Sequence, residues 1–372
     1  MITSKGVSHG FVNSKILRIE KNSGLNFFSR DGIIISEGDD NSYLAKYVLS
    51  TSKSIKSYQA GISSLDKSFV KSLCVGDIIS IGEDGRVNLL WKCGQDDNLL
   101  FVTDFCNSKC IMCPQTKIEK PQNYYKEATR IIELAKDKPK YLCISGGEPT
   151  FLKEEYIKIV SLIQKKYPHV SLQVLTNGKN FSDFQFSKQC VLNSPVDTLY
   201  AIPIHSGNSA LHDKIVRTKN SFVLTIQGII NLYKLKQNIE IRIVITKQNY
   251  KDLPNIAHFI YWNMPFVFHV AFMGMETHGS AHDNIEDIWI EPNEYIAYLE
   301  ESVSFLNNRM LNVSVYNLPH CILSESLRKF AKDSISAWKK VFLEPCRQCS
   351  MVEVCSGVFA TSSRNPQGIH RI

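Results

Sequence analysis

The sequence predicts an α/β fold, and three observations carry that reading. Strand and helix patterns alternate from residue 99 to 287, which predicts parallel pairing with right-handed crossovers. The polar and Gly-rich segments fall at the C-terminal ends of the predicted strands, where ligands bind in α/β sheets and barrels. The flanks differ from this middle part: residues 1–98 predict a small β-rich N-terminal domain, and residues 288–372 a cysteine-rich C-terminal extension. Periodicity alone is compatible with a barrel and with an open doubly wound sheet.

In the N-terminal part, Ile78–Ile81 and Val87–Trp91 read as strands joined by the turn signal Glu83-Asp84-Gly85, and the Ser/Lys-rich stretch 50–57 reads as a loop. The next strand, Leu99–Thr103, delivers a cysteine-bearing loop. Helical spacing over Tyr124–Lys136 places Ala128, Ile131, Ile132 and Leu134 on one face. Tyr141–Ser145 (strand), Lys153–Lys166 (helix), Leu172–Leu175 (strand) and Phe181–Val191 (weaker helix) follow. Leu199–Ile204, Glu240–Thr246 and Val267–Met273 complete six strands, with helices at Phe222–Lys236 and Leu253–Trp262 between them. Past residue 288, Pro292 precedes a helix over Asn293–Asn307, and Leu311–Tyr316 is strand-like.

A net charge of +7 over 372 residues, with no block of like charges, gives no nucleic-acid signature. Residues Met1–Gly6 lack an apolar signal core. The longest apolar stretch, 264–275, is interrupted by His269 and is too short to span a bilayer. These features predict a cytoplasmic protein with no membrane partner. In such a chain eleven cysteines argue for metal ligation rather than disulfides. Cys74, Cys93, Cys143 and Cys190 stand alone and read as small buried hydrophobes.

The others form two groups. Cys106, Cys110 and Cys113 are separated by three residues and then two. A cubane iron–sulfur cluster has four irons, so three thiolates leave one iron open, the mark of a working rather than a structural site. About thirty residues on, Ser145-Gly146-Gly147-Glu148-Pro149-Thr150 follows an apolar strand. Glycines there permit close approach to the backbone, and a carboxylate beyond them can bind an ammonium group. The rival reading of the cysteine run is a structural zinc site. The second group, Cys346, Cys349 and Cys355, has Cys321 as its natural fourth thiolate. Four protein thiolates would close that site, with iron–sulfur or zinc as the occupant. His320 is a further candidate ligand beside an ordinary turn histidine.

The cysteine spacing together with the Gly-Gly-Glu turn resembles the radical S-adenosylmethionine (SAM) superfamily. That resemblance implies a partial (β/α)6 barrel and a [4Fe–4S] cluster at Cys106, Cys110 and Cys113, with SAM on the open iron. It implies SAM contacts at Gly146, Gly147, Glu148 and Pro149. Asn177 is implied near the methionine moiety, against a plain Asn-Gly turn. Ser206 is implied at the ribose, and Arg242 as a bidentate clamp on the SAM carboxylate, against an ordinary strand arginine. Glu276 could face the mouth. Met112 stands where the superfamily often has an aromatic residue by the adenine.

The tail resembles the auxiliary-cluster extension of peptide-modifying members, here with a second [4Fe–4S] cluster and zinc as the alternative. The segments Thr103–Asn107, Leu175–Gly178, Ile202–His205, His212-Asp213, Met273–Glu276, Tyr316–Pro319 and Ser334–Lys339 together are similar to the HxsC-type radical SAM maturases of His-Xaa-Ser systems. This implies a ribosomally made peptide or protein substrate bearing His-Xaa-Ser repeats, a second radical SAM protein as partner, and an electron donor. Two other classes stand beside it: a radical SAM enzyme acting on a small metabolite, and a non-catalytic iron–sulfur or zinc scaffold. The N-terminal β-rich part is a candidate for recruiting a peptide by strand addition.

Overall fold

The computed structural model describes residues 2–11, 13–21, 31–36, 46–53 and 60–372. Of the stretch read as a loop over 50–57, residues 54–57 lie outside the described residues and Ser50 ends a strand.

The first sheet contains β1 (Thr3–Lys5), β2 (Val7–His9), β3 (Lys15–Ile19), β4 (Gly32–Ser36), β5 (Tyr47–Ser50), β6 (Ala60–Ser63), β7 (Ile78–Ile81) and β8 (Arg86–Trp91). Helix α1 (Lys67–Ser72) lies between β6 and β7, N-capped by Asp66, whose side chain accepts from Phe69 N. In the order β1-β8-β7-β3-β4-β5-β6-β2, the two terminal strands are consecutive in the chain. A single run, 3–9, therefore pairs with β8 on one side and β6 on the other, and closes the sheet into a small barrel. Leu17, Ile19, Ile33, Leu49, Ile62, Ile79, Ile81 and Val87 fill it. Closure leaves no free edge at either end of this strand order, so strand addition of a peptide finds no open template there.

The switch residue between β1 and β2 is Gly6. A Cβ there would lie 2.1 Å from Ser63 O and 2.7 Å from Ile62 Cγ2. At the other end of the barrel Trp91 enters the main core. It stacks on Tyr167 at 6.3 Å and donates from Nε1 to Asp137 Oδ1 at 3.0 Å. Arg18 reaches Leu134 O at 3.2 Å.

The second sheet has eight strands, all parallel: β9 (Asp97–Phe101), β10 (Tyr141–Ser145), β11 (Ser171–Leu175), β12 (Thr198–Pro203), β13 (Asn238–Val244), β14 (His269–Met273), β15 (Val313–Tyr316) and β16 (Ala331–Lys332). The connecting helices are α2 (Tyr125–Leu134), α3 (Lys153–Lys166), α4 (Phe184–Asn193), α5 (Ser209–Val216), α6 (Ser221–Lys234), α7 (Leu253–Asn263), α8 (Ser280–Asp283), α9 (Ile285–Ile288), α10 (Pro292–Asn307) and α11 (Glu325–Arg328).

Alternation along each strand sorts the faces. Leu142, Ile144, Leu172, Val174, Tyr200, Ile202, Ile239, Ile241, Ile243, Val270, Phe272 and Val315 bury against the helices in one continuous core. At about 1.5–3 kcal/mol for each large apolar side chain fully buried, this layer dominates the stability of the sheet. The opposite face is polar: Cys143, Glu240, Arg242, His269, Ser314 and Tyr316. Cys143 on β10 lies close enough to Arg242 on β13 to feel its charge. Side chains three strands apart come within electrostatic range of each other because the sheet curls into a half-barrel.

The curled parallel sheet is the α/β architecture expected, with two additions. The strand-like stretch 311–316 joins the same sheet beside β14, and β16 extends it, so residue 287 does not divide the sheet. Helix α5 has no counterpart in the sequence reading, because eight residues give too little periodicity to stand out. Trp91 and Asp137 lie beside the α2–β10 connection, so the small barrel sits at the N-terminal ends of the strands, away from the mouth. Among the described residues no helix is long and apolar enough to cross a membrane.

A Gly6→Ala substitution is expected to lower stability by about 1–3 kcal/mol, because the methyl group meets the Ser63 carbonyl across the barrel seam. Thermal unfolding monitored by calorimetry checks this; an unchanged midpoint would mean that the seam does not constrain the chain at Gly6.

Candidate functional site

The loop after β9 carries Cys106, Cys110 and Cys113, and four neighbouring elements fix its backbone. Thr103 O accepts from Gly147 N and Phe105 O from Glu148 N, each at 2.7 Å. Lys109 N and Ile111 N donate to Val216 O and Ile215 O at 3.2 and 3.1 Å, using carbonyls that the end of α5 leaves unpaired. Ala281 N and Ser280 N, at the start of α8, donate to Cys113 O and Gln115 O at 3.1 and 3.2 Å. Asp104 secures the loop's other limb by accepting from Tyr124 OH at 2.9 Å and Gln122 N at 3.1 Å.

This arrangement revises the reason for Gly146 and Gly147. A Cβ at Gly146 would lie 2.6 Å from Thr103 O, and one at Gly147 2.3 Å from Phe105 O. What approaches these glycines is the cysteine loop itself, so they are required whether or not a ligand also binds. Gly146 O additionally accepts from Gln115 Nε2 at 2.5 Å.

Glu148 also differs from expectation. It is fully buried, and its carboxylate accepts four hydrogen bonds. Oε1 takes Thr150 N (3.0 Å), Thr150 Oγ1 (2.5 Å) and Thr176 Oγ1 (2.6 Å), and Oε2 takes Asn177 N (2.6 Å). In this geometry the carboxylate braces the ends of β10 and β11 and does not present itself to an ammonium group. Pro149 is buried at the start of the short 3-10 turn that Glu148 caps, and Phe151 at its end stacks on Phe105 at 5.6 Å.

Asn177 is brought to the loop: its Nδ2 donates to Asn107 Oδ1 at 2.7 Å. Two residues on, after Gly178 with its left-handed φ of +79°, Lys179 donates from Nζ to Asn107 O at 2.6 Å. Only 5% of Lys179 is exposed, and burial lowers its pKa from the ordinary lysine value.

Ser206 lies three residues past the C-terminal end of β12. It is buried, donates to Asp252 Oδ2 at 2.6 Å and accepts from Asn208 N, so its hydroxyl braces the turn into α5. Arg242 does face the concave side, as an interior strand arginine. Its Nε is held by Glu240 Oε1 at 2.5 Å, which also orients the guanidinium. Glu240 in turn meets His269 Nδ1 at 2.8 Å, and His269 Nε2 meets Ser314 Oγ at 2.9 Å. His269 and Arg242 outweigh the burial of Glu240 and hold its pKa below the ordinary value. Glu276 is tied to the tail, to Lys339 Nζ at 2.9 Å and Thr361 Oγ1 at 2.5 Å. Met112 is 5% exposed and packs with Ile111, Ile215, Ala281 and Ile288 beneath the loop.

The sequence reading missed Asn107, Gln115, Lys179 and the buried pair His205–His212. The two imidazoles stack at 5.8 Å, with His205 N donating to His212 Nδ1 at 3.3 Å. Burial pulls them down to about 3 and about 4, so both are neutral at neutral pH. Lys179 follows an Asn-Gly turn signal, but nothing local foretells that it folds inward.

The three loop thiols fit a metal cluster by donor type. Burial, and the proximity of the other thiols, raises Cys110 to about 12; burial first of all raises Cys106 to about 11. Without a cation they stay protonated, and a metal supplies the charge that makes them thiolates. In the tail, Cys321, Cys346, Cys349 and Cys355 line one pocket together with His320 and His370. Burial, then Cys355 and Cys346, raises Cys321. His320 is pushed down by burial and Arg328. Among the described residues no three His, Cys, Asp or Glu side chains converge as they would on a single ion.

Residues 100–260 match the family model described as the radical SAM superfamily. Among solved structures, Streptococcus suis SuiB bound to S-adenosylmethionine is 14% identical over 59% of this chain and 50% of its own, with a TM-score of 0.48. Native anSMEcpe with bound AdoMet and Kp18Cys peptide is 17% identical over 58% and 63%, with a TM-score of 0.46. A radical SAM methyltransferase from Sphaerobacter thermophilus is 13% identical over 64% and 72%, with a TM-score of 0.43. This chain thus spans about half the length of the first of these structures. No curated protein sequence matches the chain. The matched segment takes in the cysteine loop, the Gly146-Gly147 turn, Asn177 and Arg242.

A Glu148→Gln substitution is expected to cost about 1–3 kcal/mol, because an amide cannot accept from all four donors and leaves at least one buried N–H or O–H unpaired. Chemical denaturation measures the loss. A variant as stable as the parent would show that the carboxylate is not the brace described.

Proposed function

We propose that this protein is a radical SAM maturase that modifies a ribosomally made peptide or protein, of the kind found in His-Xaa-Ser systems. The observation that carries the enzymatic part is the cysteine loop bonded to the Gly146-Gly147 turn at the mouth of a parallel half-barrel, within the segment that matches the superfamily. When bound, a [4Fe–4S] cluster with SAM supplies one-electron cleavage of the sulfonium and a 5′-deoxyadenosyl radical that takes hydrogen from substrate carbon.

The chain's own residues then have distinct tasks. Cys106, Cys110 and Cys113 hold the cluster. The Gly146–Pro149 turn and Asn177 border SAM beside it. Arg242, held by Glu240, offers its remaining N–H groups to an anion inside the curl. The buried helix-side core keeps the floor dry and rigid.

The tail supports a second cluster held by Cys321, Cys346, Cys349 and Cys355. Four thiols border one pocket, and four thiolates would satisfy a cubane, one to each iron. Glu276 and Thr277, just past β14, bind Lys339, Thr361, Ser362, Ser363 and Arg364, so the tail folds over the mouth. A cysteine-bearing extension anchored at the C-terminal end of β14 favours a polypeptide over a small metabolite. A cytoplasmic location keeps the thiols reduced; an electron donor and a second radical SAM protein complete the set of partners.

Anaerobic reconstitution followed by dithionite and SAM is expected to yield 5′-deoxyadenosine, and a Cys106→Ala variant none above background; equal yields would remove the enzymatic reading. A synthetic peptide of His-Xaa-Ser repeats should then change mass. SAM cleavage with the peptide unaltered would move the substrate to another class.

Replacing Cys346 and Cys349 together by Ala should lower bound iron from about eight to about four atoms per chain. Unchanged iron, or zinc lost in its place, would refute a tail cubane.

A further inference from the structure

We propose that Lys179 is a positioning residue for the cysteine loop, and that its fixed positive charge stabilises the reduced, more negative state of the cluster held by Cys106, Cys110 and Cys113. The inference rests on the cluster reading above.

Lysine is seldom fully buried unless paired, because taking an ammonium group out of water is costly. Lys179 is nevertheless 5% exposed. None of the ion pairs among the described residues includes it. Its Nζ donates to Asn107 O at 2.6 Å, a neutral acceptor one residue past Cys106. The charges that act on it are those of Cys106, Glu148, Cys110 and Asp213. Glu148 is already committed to four donors, and Asp213 caps α6 by accepting from Phe222 N at 2.8 Å. Neither carboxylate forms a salt bridge with the ammonium group among the described residues; its hydrogen bond goes to the cysteine loop, whose sulfurs are anionic when they ligate metal.

The placement is over-determined, as a fixed charge needs to be. Gly178 takes the left-handed turn that directs the chain inward, with Ile202 Cγ2 2.9 Å from where its Cβ would be. Asn177, on the other side of that glycine, ties to Asn107 Oδ1, so two side chains from one turn grip one residue of the loop. A hydrogen bond alone would need only a neutral donor. A buried cation on the loop that carries Cys106 and Cys110 also favours the added electron, in the way that hydrogen bonds and charge tune cluster potentials generally.

The test uses the full chain reconstituted with iron and sulfide. Its reductive titration with dithionite is followed through the EPR signal that changes on adding SAM. Lys179→Met and Lys179→Gln should shift the midpoint to more negative potential at unchanged iron content, and Lys179→Arg should stay near the parent. Should Met and Gln variants lose the cluster while Arg retains it, the requirement for a cation at this place is upheld directly. An unchanged midpoint in Met or Gln variants overturns the proposal, as does loss of the cluster in all three. If the parent itself gives no SAM-responsive signal, the cluster reading falls and this inference with it; a responsive parent with indifferent variants refutes the role of Lys179 alone.

Discussion

The buried carboxylate of Glu148 is the constraint on which the mouth of this protein depends. Strands β10 and β11 end side by side, and each leaves donors where no further strand residue can pair with them. One carboxylate takes four of these, from Thr150, Thr176 and Asn177. From there the order passes outward through Asn177 and Lys179 to Asn107, and so into the cysteine loop. The loop has little regular structure of its own. Its shape comes from groups that other elements leave over: turn N–H groups at residues 147–148, carbonyls at the end of α5, and amides at the start of α8.

Beneath that mouth the sheet divides its labour between faces. Aliphatic side chains on the convex face supply the cohesion, while the concave face holds the chain Arg242–Glu240–His269–Ser314. A buried ion pair adds little net stability by itself. Its value here is orientation, since each member has a partner and the guanidinium cannot swing freely.

Much of this could be read from local sequence. Strand and helix alternation, the three-then-two cysteine spacing and the Gly-Gly-Glu turn are short-range signals, and the curled parallel sheet agrees with them. What could not be read is which side chains point where. Ser206 spends its hydroxyl on Asp252, forty-six positions away, and Glu276 pairs with Lys339, sixty-three away. Nothing local marks Gly6; what a Cβ there would meet is Ser63, fifty-seven positions away. Strand β16 has only two residues, too few for any period. The glycines at 146 and 147 are read from sequence as permitting close approach of a ligand, and the structure sets Thr103 and Phe105 of the same chain against them.

The segment just past β14 binds in two directions. Glu276 and Thr277 hold the tail, and Ser280 and Ala281 hold the cysteine loop, so six residues of chain, 276–281, link the tail to the cysteine loop. Displacement at one group therefore pulls on the other through a strap too short to absorb slack.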